Sequence, residues 1–305
     1  MNEAGFADSA DRFLTYLREV RQLSGHTCSN YERDLRSLQG FCQQQGIDRA
    51  SELDEGHIRQ WVSQLHRRGL AASSIQRSLS AARSFFQWLG RELGYPRNPA
   101  ASVQAPRSGR KLPRTLDADQ MDRYLHFGGD GPVQLRDRAM AELFYSSGLR
   151  LAELAAVNLD DLDTTTQLLT VTGKGNKTRT LPVGTMAMEA IQGWLRVRPD
   201  TAADADSAQA MFTSNQGRRI SVRNIQARLK LQGRKAGMHQ DVHPHMLRHS
   251  FASHMLESSG DLRAVQELLG HANISTTQIY THLDFQHLAK VYDAAHPRAR
   301  RRKED

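Results

Sequence analysis

Leu168-Leu169-Thr170-Val171-Thr172, then Gly173-Lys174-Gly175-Asn176-Lys177, then Thr178-Arg179-Thr180-Leu181-Pro182-Val183 is the stretch that decides how this chain folds. Two runs rich in β-branched residues flank a glycine-containing turn, the pattern of a β-hairpin. Nothing else in the 305 residues gives a comparable strand signal, and the sequence on both sides is patterned at helical spacing. One hairpin set in a helical chain predicts a mainly α fold with a small β-hairpin or sheet.

Upstream of the hairpin, Leu135, Met140, Leu143 and Phe144 mark a helix over residues 133–147, interrupted by Gly148, with another beginning near Leu149. Asp117 and Gln120 form a cap before Met121 and Leu125. Downstream of Gly184 the pattern is helical to the end. Pro244 favours an extended His243 and a helix starting just after, which places His245 and Arg248 one turn apart and gives Leu247, Phe251 and Met255 a separate apolar stripe. Residues 261–269 form a helix closed by Gly270 and followed by His271, and Ser275 caps a helix carrying Tyr280.

The first hundred residues contain four amphipathic helices. The first buries Phe13, Leu14, Leu17 and Val20. The second starts at Ser29, with Glu32 completing a capping box, presents Tyr31, Leu35, Leu38 and Phe41, and ends at Gly46. The third carries Ile58, Trp61, Val62 and Leu65 and stops near Gly69; the fourth carries Ile75, Leu79, Ala82, Phe86 and Leu89 and stops near Gly94. Between the helical half and the hairpin half, residues 98–115 hold Pro99, Pro106 and Pro113 among Arg107, Arg110, Lys111 and Arg114, a basic linker without periodicity. The predicted organisation is a helical domain over 1–97, the linker over 98–115, a second domain over 116–297 and a basic tail over 298–305.

Composition narrows the function. No stretch approaches the roughly 18 apolar residues of a membrane helix, and Glu3, Asp8 and Asp11 stand where a signal peptide needs positive charge. A cytoplasmic address follows. Cys28 and Cys42, the two cysteines, exclude a disulfide framework and argue against a cysteine-built zinc site. His245 and His249 have the i, i+4 spacing of metal ligands, but no acidic third ligand follows at a suitable interval. Lys and Arg number 41 against 33 Asp and Glu, a formal charge of +8 that suits a polyanionic partner or a solvated basic surface alike.

Taken singly, the polar residues have ordinary explanations: Tyr280 as a packed helix face, His271 as a loop residue, Arg248 as an ion-paired arginine. Taken in order, they form a pattern. Gly148-Leu149-Arg150-Leu151-Ala152-Glu153-Leu154, Gly173-Lys174-Gly175, His245-Met246-Leu247-Arg248-His249, Leu269-Gly270-His271 and Gln278-Ile279-Tyr280-Thr281-His282 follow one another within one basic domain. This succession resembles the tyrosine recombinases, and with the helical domain before the linker the likeness runs along essentially the whole chain. The segments Thr281–Leu288 and Tyr292–Arg298 resemble the branch that resolves chromosome dimers in bacteria.

The resemblance implies a helical core-binding DNA clamp followed by a catalytic domain, and a site-specific recombinase that cuts and rejoins double-stranded DNA through a 3′-phosphotyrosyl link. It makes Tyr280 the nucleophile, His245 the acceptor of its proton, Arg150 and Arg248 the holders of the scissile phosphate's non-bridging oxygens, His271 a further donor, and Lys174 the acid for the leaving 5′-oxygen. Glu153, one turn after Arg150, orients that arginine. No metal, cofactor or nucleotide is implied, because the two arginines and the lysine supply the positive charge. The implied partners are a recombination site on DNA, a related recombinase forming a heterotetramer, and a septal DNA translocase. The apolar stripe Phe285, Leu288, Val291 and Tyr292 is implied to dock on a neighbouring protomer, the alternative being its own domain. Three other functions compete: a phage- or transposon-type integrase of the same family, a type IB topoisomerase sharing the phosphotyrosine chemistry, and a helix-turn-helix regulator built on residues 261–283. The regulator leaves the spacing of Arg150, Lys174, His245 and Arg248 without a reason.

Overall fold

The computed structural model describes residues 5–106, 115–173, 177–199, 202–270, 288 and 291–299. The chain divides into two compact units, Met1–Arg110 and Lys111–Asp305.

The first unit is built from α1 (Phe6–Glu19), α2 (Gly25–Gln45), α3 (Glu55–Arg67) and α4 (Ala72–Leu93). Their apolar faces meet in one core containing Phe13 and Leu17, Leu35 and Leu38, Ile58 and Trp61, and Leu79 and Phe86. Phe85 lies among rings, its centroid 5.4 Å from Phe6, 5.6 Å from Phe13 and 5.3 Å from Phe86; such pairs add about 0.5–1.5 kcal/mol each beyond their buried area. Gly46 and Gly94 end α2 and α4 in the left-handed region, both at φ +70°.

Two expectations for this unit are corrected. Val20 is 67% exposed: α1 ends at Glu19, and Val20 is the cap residue just beyond its buried face. Ser29 does not start α2. Ser24 does, accepting from the Thr27 N–H at 3.4 Å, and the extra turn carries Cys28 into the core. The proline-containing stretch after α4 begins as part of this unit. Ala100 and Val103 are in its core, and Arg83 donates from Nε to the Ala100 carbonyl at 3.0 Å. Cys28 and Cys42 are free and buried, and burial pushes the Cys42 thiol up to about 12.

The second unit comprises α5 (Ala118–Leu125), α6 (Pro132–Ser147), α7 (Leu151–Ala156), β1 (Leu162–Asp163), β2 (Leu168–Thr172), β3 (Thr178–Pro182), α8 (Thr185–Leu195), α9 (Ala205–Gln209), α10 (Val222–Lys235), α11 (Pro244–Ser259) and α12 (Leu262–Leu269). The hairpin forms with Leu169 opposite Leu181 and Val171 opposite Arg179, and β1 adds a third antiparallel strand on the other side of β2. The chain after Gly184 is not helical throughout: Ala210 bridges to Asn158, and Thr213 to Arg219, in short β-contacts. Asp117 and Gln120 form the anticipated capping box at α5.

Helix α6 is the central post, buried from Ala139 to Ser147 on every side. Its polar residues are buried with partners. Asp137 accepts from Arg136 Nη2 at 2.9 Å and from Arg228 Nε at 2.5 Å, Ser146 Oγ lies 2.6 Å from the Tyr292 hydroxyl, and Ser147 donates to the Pro182 carbonyl at 2.9 Å. Glu142 accepts from Arg298 Nε at 3.0 Å, so Arg298, the first residue of the basic tail read from sequence, is anchored inside the fold. Of the apolar stripe assigned to a neighbouring protomer, Leu288 and Tyr292 are buried and Val291 packs against the core of its own unit. This part of the expectation is corrected: the Tyr292 hydroxyl finds its partner on α6, and that side chain is not presented outward. Phe285 lies outside the described residues.

Candidate active site

The site starts from the break after α6. Gly148 turns the chain at φ +56°, and a Cβ there would fall 2.4 Å from Cδ1 of Phe251 on α11, so the position demands glycine for both conformation and space. The turn delivers Arg150 to the cap position of α7. The Arg150 backbone N–H donates to Glu153 Oε2 at 2.7 Å, its Nη1 to Glu153 Oε1 at 2.8 Å, and its Nη2 to the Gly270 carbonyl at 2.8 Å.

Arg248 reaches the same place from α11. The helix starts as anticipated, with His243 extended at φ −136° and ψ 159°, its Nδ1 accepting from the Met246 N–H, and Pro244 in the first turn. Leu247, Phe251 and Met255 bury the opposite stripe in the core. The Arg248 guanidinium then donates from Nη1 to the Gly148 carbonyl and from Nη2 to the Leu269 carbonyl at 2.5 Å. Arg150 and Arg248 are therefore brought together on consecutive carbonyls at the end of α12, where Gly270 turns left-handed at φ +64°. His245 lies one turn before Arg248 on α11, with its side chain exposed.

The electrostatics follow from the crowding. Burial lowers the Arg248 guanidinium to about 10, and the nearby positive charge of Arg150 lowers it in the same direction. Burial acts to raise the Glu153 carboxyl, yet the hydrogen bonds from the Arg179 side chain and the Arg150 backbone outweigh it and bring the group down to about 2. His243 is held below its ordinary value by desolvation and then by the neighbouring His245. The arrangement holds two guanidiniums side by side, each fixed by its own hydrogen bonds, a geometry able to meet the oxygens of a tetrahedral anion.

Lys174, His271 and Tyr280 lie outside the described residues. Their neighbours in the chain are described. Gly173 donates its N–H to the Lys177 carbonyl at 2.8 Å at the base of the hairpin turn, and Gly270 receives Arg150 immediately before His271. One residue of the site was not anticipated from sequence. Arg179 on β3 donates from Nη1 and Nη2 to the two oxygens of Glu153, at 2.8 and 2.9 Å. It stands opposite Val171 on the hairpin, and an arginine between two threonines gives no sequence signal of this role. Among the described residues, no group of three His, Cys, Asp or Glu side chains could hold a metal ion, and no helix is long and apolar enough to cross a membrane.

Comparison with known proteins gives a consistent picture. The phage integrase family matches residues 114–287, and the phage integrase N-terminal SAM-like domain matches residues 10–93. The tyrosine recombinase XerC of Xanthomonas axonopodis pv. citri (strain 306) is 53% identical over 305 residues, covering 97% of this chain and 98% of its own. XerC of Azotobacter vinelandii (strain DJ / ATCC BAA-1303) is likewise 53% identical, over 301 residues and the same shares of both chains. Among solved structures, the Tn1549 transposon integrase in complex with transposon right end DNA superposes with a TM-score of 0.73 at 17% identity, over 94% of this chain and 99% of that one. The XerH site-specific recombinase bound to palindromic difH substrate does so with a TM-score of 0.67 at 20% identity, over 93% and 84%.

Proposed function

The chain belongs to the phage integrase family, that of the tyrosine recombinases, and is a site-specific DNA recombinase; from this premise we propose how its own residues perform the reaction and with what partners. The observation that carries the proposal is the convergence of Arg150 and Arg248 on the Leu269 and Gly270 carbonyls, one residue before His271 and ten before Tyr280.

Arg150 and Arg248 grip the non-bridging oxygens of the scissile phosphate through paired hydrogen bonds, and His271 adds a third donor. Fixed donors of this kind are worth roughly 3–4 kcal/mol each in a site that excludes water. The Tyr280 phenol, with an ordinary pKa near 10, passes its proton to His245 as its oxygen bonds to phosphorus. The bond from phosphorus to the 5′-oxygen breaks, and that oxygen takes a proton from Lys174. One phosphate ester replaces another of similar energy, so a 5′-hydroxyl from a second duplex can reverse the step and reseal the strand without an external energy source.

The likeness to XerC over nearly the full chain supports the rest of the reading. In this reading the chain acts in the cytoplasm with a XerD-like recombinase, as a heterotetramer on a double-stranded site, to resolve chromosome and plasmid dimers at segregation, with a septal DNA translocase as a further candidate partner. Incubation with a nicked suicide substrate tests the chemistry: a covalent protein–DNA adduct should form and map to Tyr280, and Tyr280→Phe should bind the site but trap nothing. An adduct on another residue would overturn the assignment. A supercoiled plasmid with two sites tests the biology. Resolution only when the XerD-like partner is added is expected, and recombination by this chain alone would favour the integrase reading.

A further inference from the structure

Arg179 takes no part in the steps above, although it is joined directly to them. Its side chain is 10% exposed, whereas that of Arg150 is 40% exposed. Both guanidiniums bind one carboxylate, that of Glu153, which is itself only 3% exposed. Arg179 occupies both carboxylate oxygens from behind and donates through Nε to the Leu268 carbonyl at 3.3 Å. The hairpin closes over the pair: a Cβ on Gly173 would lie 3.2 Å from Glu153 Oε1 and 3.6 Å from Arg179 Nη1. On the other side, a Cβ on Gly270 would lie 3.1 Å from Cδ and Nε of Arg179.

Charge decides what the inner arginine is for. A carboxylate paired with Arg150 alone would cancel that arginine's charge, and a neutral pair attracts a phosphate weakly. Two guanidiniums around one carboxylate leave one positive charge over. Because Arg179 is the member sealed from solvent, the surplus faces outward at Arg150. The bidentate fork also fixes the plane of the carboxylate, and with it the direction of the Arg150 guanidinium.

We propose that Arg179 is a positioning residue for strand cleavage, which takes up the charge of Glu153 from behind so that Arg150 acts on the scissile phosphate with its full charge. This rests on Arg150 being a phosphate-binding group. The experiment compares Arg179→Met, Arg179→Lys, the double variant Arg179→Met/Glu153→Gln and Arg150→Ala. It measures site binding by gel shift and, separately, the first-order cleavage rate of bound suicide DNA. The DNA carries either a phosphodiester or a neutral methylphosphonate at the scissile position.

Arg179→Met should bind within about twofold of the unaltered protein yet cleave the phosphodiester about thirtyfold more slowly, less than the about 10²–10³-fold of removing a donor outright. On the methylphosphonate that loss should shrink to about threefold, since the linkage carries one negative charge fewer for Arg150 to meet. Arg179→Lys keeps the cation and should stay within about fivefold on the phosphodiester; the double variant removes the carboxylate with it, loses the aim that Glu153 gives Arg150, and should still cleave about threefold faster than Arg179→Met. Equal losses on the two linkages, a lysine variant as slow as the methionine one, or unimpaired Arg179→Met would overturn the proposal. Should the methionine variant fail to fold, the lysine and double variants decide the question alone: collapse of both overturns it. Arg150→Ala separates the two layers. If it cleaves normally, the phosphate-binding role of Arg150 has failed; if it is slow while Arg179→Met is not, only the role of Arg179 has.

Discussion

The two units bury different things. In the first, the interior is rings and aliphatic chains, with Asp34 as its buried charge, held by Arg77 Nε at 2.9 Å and Ser78 Oγ at 2.9 Å. In the second, Arg136, Asp137, Glu142 and Glu153 are all buried, and His254 and His296 with them. Charge is expensive to desolvate, and a buried ion pair often does no better for stability than a hydrophobic replacement. Its use here is placement. Glu153 holds Arg150 and Arg179 in place, Asp137 holds Arg136 and Arg228, and Glu142 holds Arg298, whereas the first unit buries one such carboxylate among its described residues.

Substitutions can break this comparison, the most damaging first. Phe85→Ala in the first unit and Asp137→Ala in the second should each cost about 3–5 kcal/mol in urea unfolding, one by opening a cavity among rings and the other by stranding Arg136, 3% exposed, without its counter-charge. The losses are alike in size and differ in remedy. Pairing Asp137→Leu with Arg136→Met should restore most of the second loss, since it removes the two buried charges and leaves only the partly exposed Arg228 without its partner; if the pair of changes is no better than Asp137→Ala, buried charge is not what separates the units.

Acid should act next. The Glu153 carboxyl falls from an ordinary 4.5 to about 2 on folding, so its contribution is complete above about pH 4.5 and disappears as pH drops toward 2. The difference between the unaltered protein and Glu153→Gln should shrink by roughly 3 kcal/mol across that window. A difference independent of pH would show that the carboxylate is not held by the two arginines. Helix caps should treat the units alike: Asp54→Ala and Asp117→Ala each remove a capping box and should cost about 1 kcal/mol. Val20→Ser, at a residue 67% exposed, should change stability by less than about 0.5 kcal/mol.

Much of this was legible in the sequence wherever a single local rule operates. Gly46, Gly94, Gly148 and Gly270 all end helices left-handed, as a glycine after an apolar periodic run predicts. The hairpin forms where two β-branched runs flank a glycine-containing turn. Where two candidates compete, the local rule fails: Ser24 and Ser29 are both capping residues by type, and only the burial of Cys28 chooses between them. A strand as short as β1, two residues, has no period to detect. The site was legible as a family pattern, with Arg150 and Glu153 one turn apart, but Arg179 was not. An arginine among threonines has the look of a solvent-facing strand residue, and its partner Glu153 is 26 positions away. Buried charges are hard to read for the same reason: Arg136 and Asp137 obey no helical stripe, and what stabilises them comes from Thr213, Asn215 and Arg228, far along the chain.

The two thiols of this protein, Cys28 and Cys42, are shut inside the first unit, and the Cys42 thiol is pushed to about 12, far from its reactive thiolate form at neutral pH. A cysteine introduced on an outer helix position would therefore be the one group to react with a maleimide dye. A fluorophore placed this way on this chain, paired with one on a DNA end, would turn DNA binding into an energy-transfer signal that can be followed molecule by molecule, with no native residue of the chain removed beforehand.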